Sequence, residues 1–127
     1  MKPLLTALML GNAALFVFGA LQHAGVTIGS LQEPVIVPAS VVEVVCALAL
    51  SWGTAAVLKR SLKAWRAAFI GNLVAILGVV IGMVALAVGA GPRTASNDLY
   101  HGIMLALATA SLVILLVPTG RTELRRN

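Results

Sequence analysis

Four apolar runs, near residues 3–26, 38–58, 67–90 and 98–117, dominate this chain, and each is long enough to cross a bilayer. A hydrocarbon core of about 30 Å needs roughly 20 helical residues. Unpaired backbone groups in lipid cost several kcal/mol each, so only helices and closed barrels span membranes. These runs are continuous rather than alternating and the chain is short, which excludes a barrel. Composition agrees: 60% of the 127 residues are hydrophobic and only 10% charged, against about a quarter charged in soluble domains. The expectation is all-α: one four-span transmembrane domain over residues 1–127, an up-down-up-down four-helix bundle. The N-terminal run reads as a retained span, because it is too long for a signal core and lacks an A-x-A site.

Basic residues fix the expected orientation. Lys2, Lys59, Arg60, Lys63, Arg66, Arg121, Arg125 and Arg126 fall at the two ends or in the 59–66 segment, leaving Arg93 alone on the other side. The positive-inside bias then puts both termini in the cytoplasm, in a multi-pass protein of a bacterial-type plasma membrane. The net charge of +5 is a topology signal on this reading and not a nucleic-acid patch. Lys59, Arg60, Lys63 and Arg66 are placed to meet anionic lipid, with Trp65 at the interface.

Helix ends carry their own signals. Pro38 suits a helix start, where its missing N–H is harmless. Ser96 or Asn97 reads as an N-cap of the fourth span, and Pro118 with Gly120 reads as its end. Span three carries Gly71, Ala75, Gly78, Gly82, Ala85 and Gly89 at helical spacing, with a GxxxG step at 78–82. Such stripes let helix backbones approach closely in lipid. Gly71, Gly78, Gly82 and Gly89 are therefore expected as packing residues. Their partners are expected within the chain, along Gly102, Ala106 and Ala110 or Ala47, Ser51 and Ala55, with a homo-oligomer face as the other use.

The stretch "PRTASNDLYHGIML" (92–105) gathers polar chemistry between two apolar runs. Asp98 and Asn97 suit a helix N-terminus, and Tyr100 suits the aromatic belt. Ionisable groups inside a membrane are costly and few: His23 near the outer end of span one, Glu43 in span two and His101 in span four. Antiparallel threading puts all three in one outer layer. Asn12, Gly19 and His23 share a helix face, as do Asn97 and His101. His23, Glu43, His101, Asn12 and Asn97 are thus expected to line one outward-facing pocket. Glu43 is expected either to carry its proton or to pair with a histidine.

Two histidines and a carboxylate (His23, His101, Glu43) are a conceivable ligand set for a transition metal, and two histidines for a haem across helices. No HxxxH, HExxH, CxxC or CxxCH is present, so no cofactor is assigned. The single cysteine, Cys46, excludes an internal disulfide. No GxSxG, P-loop or dinucleotide fingerprint occurs, which turns the reading away from an enzyme. Three classes remain: binding or carriage of a small ligand or ion, an accessory subunit of a larger membrane complex, and a metal or haem redox protein.

Overall fold

The computed structural model describes residues 1–29 and 33–125, the side chain of Arg125 aside. Arg126, one of the cations used for the topology reading, lies outside the described residues. Four long helices form the body: α1 (Lys2–His23), α2 (Val37–Leu58), α3 (Ala64–Ala87) and α4 (Ala95–Leu116), followed by a short α5 (Pro118–Arg125). Consecutive helices pack side by side and α4 returns to α1, giving an up-down-up-down four-helix bundle with both ends of the chain at one end.

Only 28–39% of each span's most apolar window is buried within the bundle. The remainder, including Leu48, Ile81, Leu99 and Val113, presents large apolar side chains outward. Exposed apolar surface on this scale is not tolerated in water. It makes the chain a multi-pass membrane protein, with lipid covering the outside.

The helix boundaries differ from expectation by about one turn. α3 starts at Ala64, so Trp65 and Arg66 belong to its first turn and the connecting segment shrinks to 59–63. The fourth span is capped by Thr94, whose side chain accepts from the Asn97 N–H at 3.1 Å, rather than by Ser96 or Asn97. Gly120 does not end the fourth span. The chain turns at Val117, Pro118 takes the first position of α5, and Gly120 sits inside that helix against the Ile114 carbonyl.

α1, α2 and α3 end in the same way. A residue at positive φ follows the cap, and the next N–H reaches back to the carbonyl five residues earlier: Val26 to Leu21, Ser61 to Ala56 and Ala90 to Ala85. This is the Schellman closure, which normally uses glycine because a Cβ crowds that conformation. Gly25 and Gly89 serve α1 and α3, whereas α2 uses Arg60 at φ 52°. Gly89 is therefore a helix terminator with open space around it, not the packing residue its spacing suggested.

The stripes sort themselves differently from the expected pattern. Gly71 does lie in a close approach: a Cβ there would fall 2.7 Å from the Ala49 carbonyl oxygen of α2. Gly53, which the spacing did not single out, is its counterpart, 2.9 Å from the Ala67 carbonyl oxygen by the same measure. Gly78 accommodates the Cys46 thiol. Gly102, Ala106 and Ala110 face outward instead of packing within the bundle, and of Ala47, Ser51 and Ala55 only Ala47 is buried. Helix rotation in the bundle decides which small residues meet a partner, and spacing alone does not report it.

The core is dense at the end that holds the termini. Leu5, Met9, Leu50, Val57 and Leu115 are fully buried there, and Leu124 of α5 seals it from below. The Trp65 indole N–H donates to the Leu115 carbonyl at 2.9 Å, while the ring stacks on Phe69 and lies 5.2 Å from the Arg121 guanidinium. Towards the other end the helices open, and the polar side chains collect there.

Candidate functional site

His23 is the last residue of α1 and Glu43 lies in the second turn of α2, so the short α1–α2 connection brings them to the same level. The backbone reinforces the match. Ile36 donates its N–H to the His23 carbonyl at 2.9 Å, and the Ser40 hydroxyl donates to the Ala20 carbonyl at 2.9 Å. The His23 carbonyl is one that the end of α1 leaves without a helical partner, whereas the Ala20 carbonyl also accepts from the Ala24 N–H at 3.0 Å.

Across this seam His23 Nδ1 meets Glu43 Oε2 at 2.9 Å, with both side chains buried. The other carboxyl oxygen, Oε1, accepts from the Tyr100 hydroxyl of α4 at 3.1 Å, and the same hydroxyl lies 2.9 Å from the Leu15 carbonyl of α1. Gly19 makes the arrangement possible. Any side chain there would collide with the Tyr100 hydroxyl and the Glu43 carboxyl. A chain Tyr100–Glu43–His23 therefore ties three helices together, and both carboxyl oxygens are engaged within it.

His101 is held separately. Its Nδ1 lies 2.8 Å from the Asn97 carbonyl, an acceptor only, so Nδ1 carries a proton and donates it there. Nε2 fits against Gly82 of α3, where a Cβ would come within 2.5 Å. The small residue at 82 makes room for an imidazole ring rather than for a helix backbone. The Tyr100 and His101 rings meet edge to face at 5.6 Å.

Two cavities flank Tyr100 and His23. The inner one, about 360 Å³, lies among the halves of α2, α3 and α4 remote from the chain termini. Its lining is mostly apolar, and its polar groups come from His23, Glu43, Asn97, Tyr100 and His101. The second, about 300 Å³, is a cleft between α1 and α4 bordered by Gln22, His23, Glu33, Ser96 and Asn97. Four of the five expected residues thus line the inner cavity. Asn12 does not: it is fully buried deeper in the bundle, donating from Nδ2 to the Met104 carbonyl at 3.3 Å.

Among the described residues no three His, Cys, Asp or Glu side chains gather into a metal-binding group. His23 and Glu43 meet, and His101 is not grouped with them. Sequence reasoning assigned Tyr100 to the aromatic belt and passed over Gln22 and Glu33. Tyr100 stands three residues after Asn97 on the same helix face, which was the available signal for it. Glu33 lies on a loop whose path has no periodicity to read.

Buried polar nitrogens are normally paired. Among the described residues His23 Nε2 and Gln22 Nε2 have no hydrogen-bond partner, although both residues are more than nine-tenths buried. No protein-family model, no curated protein and no solved structure matches the chain.

Proposed function

We propose that this membrane protein binds a small, largely apolar ligand bearing one hydrogen-bonding group in the inner cavity, reached from the outer side. The observation that carries the reading is the cavity's division of labour. Ligand sites are commonly about 300–1,000 Å³, apolar, with a few fixed polar groups. Here about 360 Å³ of space is lined mostly by apolar residues, with a few polar groups from His23, Glu43, Asn97, Tyr100 and His101. The Glu43 carboxyl orients His23 and Tyr100 and is itself fully engaged, which makes it a positioning residue. Phe16, Val79 and Met104 line the cavity with almost no exposure, and the polar side chains deeper in the bundle, Asn12, Thr54, Asn72 and Ser111, are themselves buried. A transporter needs polar groups continuing past the midplane.

The test is native mass spectrometry of gently extracted protein, comparing wild type with Ala85→Phe. Ala85 is half-buried on the cavity wall, so the ring fills the space without removing a polar contact. A retained mass present in wild type and lost in the variant is the expected result. Absence of any retained mass in wild type, with a variant of higher thermal stability, means the cavity is only a packing defect.

A second reading, an accessory subunit or homo-oligomer, is favoured by one observation. Gly102, Ala106 and Ala110 form an outward-facing small-residue strip beside a groove bordered by Leu4, Leu8 and Thr109. Small strips of this kind support close helix association in lipid. Crosslinking in native membranes would decide it: Ala106→Phe should abolish a crosslinked species, and an unchanged pattern removes the reading.

A further inference from the structure

Most polar atoms around the inner cavity are bonded within the protein. His23 Nδ1 and the Tyr100 hydroxyl engage the two Glu43 oxygens, and His101 Nδ1 donates to the Asn97 carbonyl. Two groups are left over, His101 Nε2 and the Asn97 side-chain amide, which have no hydrogen-bond partner among the described residues. Both residues line the cavity, and they are only 8% and 5% exposed. Neither group is sealed off in the way His23 Nε2 is, which has no partner and no accessible surface. Gly82, on the same cavity wall, keeps the imidazole open, since a Cβ there would sit 2.5 Å from Nε2 and cover it. Asn97 and His101 stand four residues apart on α4 and so share a helix face.

The imidazole sets what a partner must supply. The Asn97 carbonyl can only accept, so Nδ1 carries a proton, and Nε2 is then a lone pair in the neutral ring or an N–H in the imidazolium. A ketone or ester only accepts and suits the charged ring alone. An ammonium only donates and suits the neutral ring alone. A carboxylic acid suits both, because its proton sits on its own oxygen against the neutral ring and on Nε2 against the charged one, with the same heavy atoms in contact. Burying a lone charge is costly, whereas acid and ring together carry no net charge in either form. An alcohol also fits both forms, but it lacks the charge-assisted bond and the second oxygen that the Asn97 amide N–H can reach. Glu43 does not compete for this role, as both its oxygens are engaged.

We propose that the inner cavity binds an apolar carboxylic acid, its carboxyl bridging His101 Nε2 and the Asn97 amide and its tail lying among apolar lining residues such as Val79, Ile81 and Leu86. The inference rests on the reading of this cavity as a ligand site and names the ligand class. About 360 Å³ of space limits the acid to a small or medium chain.

Octanoic acid, 1-octanol and methyl octanoate share a tail and differ at the polar end, so they serve as probes. Their affinities for the full-length protein in maltoside at near-neutral pH, measured by isothermal titration calorimetry, are compared between wild type and Ala85→Phe, His101→Leu, His101→Gln and Asn97→Ala. Taking the ratio of wild type to variant for each compound cancels its partition into the micelle. Octanoic acid should weaken about tenfold in His101→Leu, the size expected for one hydrogen bond to a charged group, and severalfold in Asn97→Ala. Methyl octanoate should be nearly unaffected by either. His101→Gln keeps a polar side chain without a basic nitrogen, and it should weaken the acid while sparing the alcohol, which serves as the check if His101→Leu folds poorly. Ala85→Phe should weaken all the compounds. Weakening of every compound by Ala85→Phe, with the acid losing no more than the ester in both His101 variants, keeps the cavity as a ligand site and overturns the acid assignment. Binding that Ala85→Phe leaves unchanged, or no binding at all, removes the cavity as a ligand site and the acid assignment with it.

Discussion

His23 Nδ1 and Glu43 Oε2 lie 2.9 Å apart although twenty residues separate them, and the contact joins the end of α1 to the second turn of α2. With Tyr100 on the other carboxyl oxygen, the pair sets the geometry of both cavities. Its energetic weight is open to direct measurement.

Glu43→Leu should destabilise the bundle by about 1–3 kcal/mol, the usual penalty for a buried donor left without its acceptor. The stranded group is His23 Nδ1, since Tyr100 retains the Leu15 carbonyl. Replacing both partners, as His23→Leu with Glu43→Leu, should recover part of that loss, because no polar group then remains unpaired. Denaturation followed by circular dichroism measures both. A double variant no more stable than Glu43→Leu would show that the pair does not act as a unit.

The two kinds of glycine in α3 should behave differently. Gly82→Ala presses on the His101 ring, whereas Gly71→Ala presses on the Ala49 backbone carbonyl of α2. A side chain can be removed and a backbone cannot. In a His101→Ala background, Gly82→Ala should become nearly neutral in thermal stability while Gly71→Ala remains destabilising. Equal rescue of both would mean that Gly82 does not owe its smallness to the imidazole.

Arg60→Gly should stabilise the protein. A left-handed conformation costs a non-glycine residue about 1–2 kcal/mol, and Arg60 holds φ 52° at the end of α2. Part of the gain is offset by the greater freedom of glycine in the unfolded chain, so a rise in melting temperature corresponding to about 1 kcal/mol is expected. An unchanged or lower melting temperature would point to an interaction of the arginine side chain that outweighs the backbone strain.

Orientation can be read by labelling in a Cys46→Ala background. Leu62→Cys, in a strongly exposed connecting residue, should react with an impermeant thiol reagent only in inverted vesicles. Ala90→Cys, beyond the other end of α3, should react in intact cells. The reverse pattern would overturn the charge-based topology.

The four spans were legible because crossing a membrane is a local property of length and apolarity, and the bundle follows from short connections between them. The shared level of His23, Glu43 and His101, which line one cavity, was legible for the same reason, as antiparallel threading sets depth. Rotation about each helix axis was not. It decides that Gly102, Ala106 and Ala110 face outward and that His101 turns towards Gly82, whereas Asn12 lies deeper simply because eleven residues of helical rise, about 16 Å, separate it from His23. Boundaries moved by a turn because Trp65 and Arg66 tolerate both helix and interface, and because Thr94 caps as well as Ser96 does. Glu33 entered the cleft through a loop whose course depends on tertiary hydrogen bonds to Thr94 and Ser96.

Cys46 gives the α2–α3 seam a built-in clock. Its thiol is buried against Gly78 with about 1% exposure, and it is the only cysteine in the chain. A membrane-permeant maleimide can reach it only when α2 and α3 separate. The modification rate of the unaltered protein therefore counts spontaneous openings beside the inner cavity. A ligand that holds those helices together would slow the count, and one that wedges them apart would speed it.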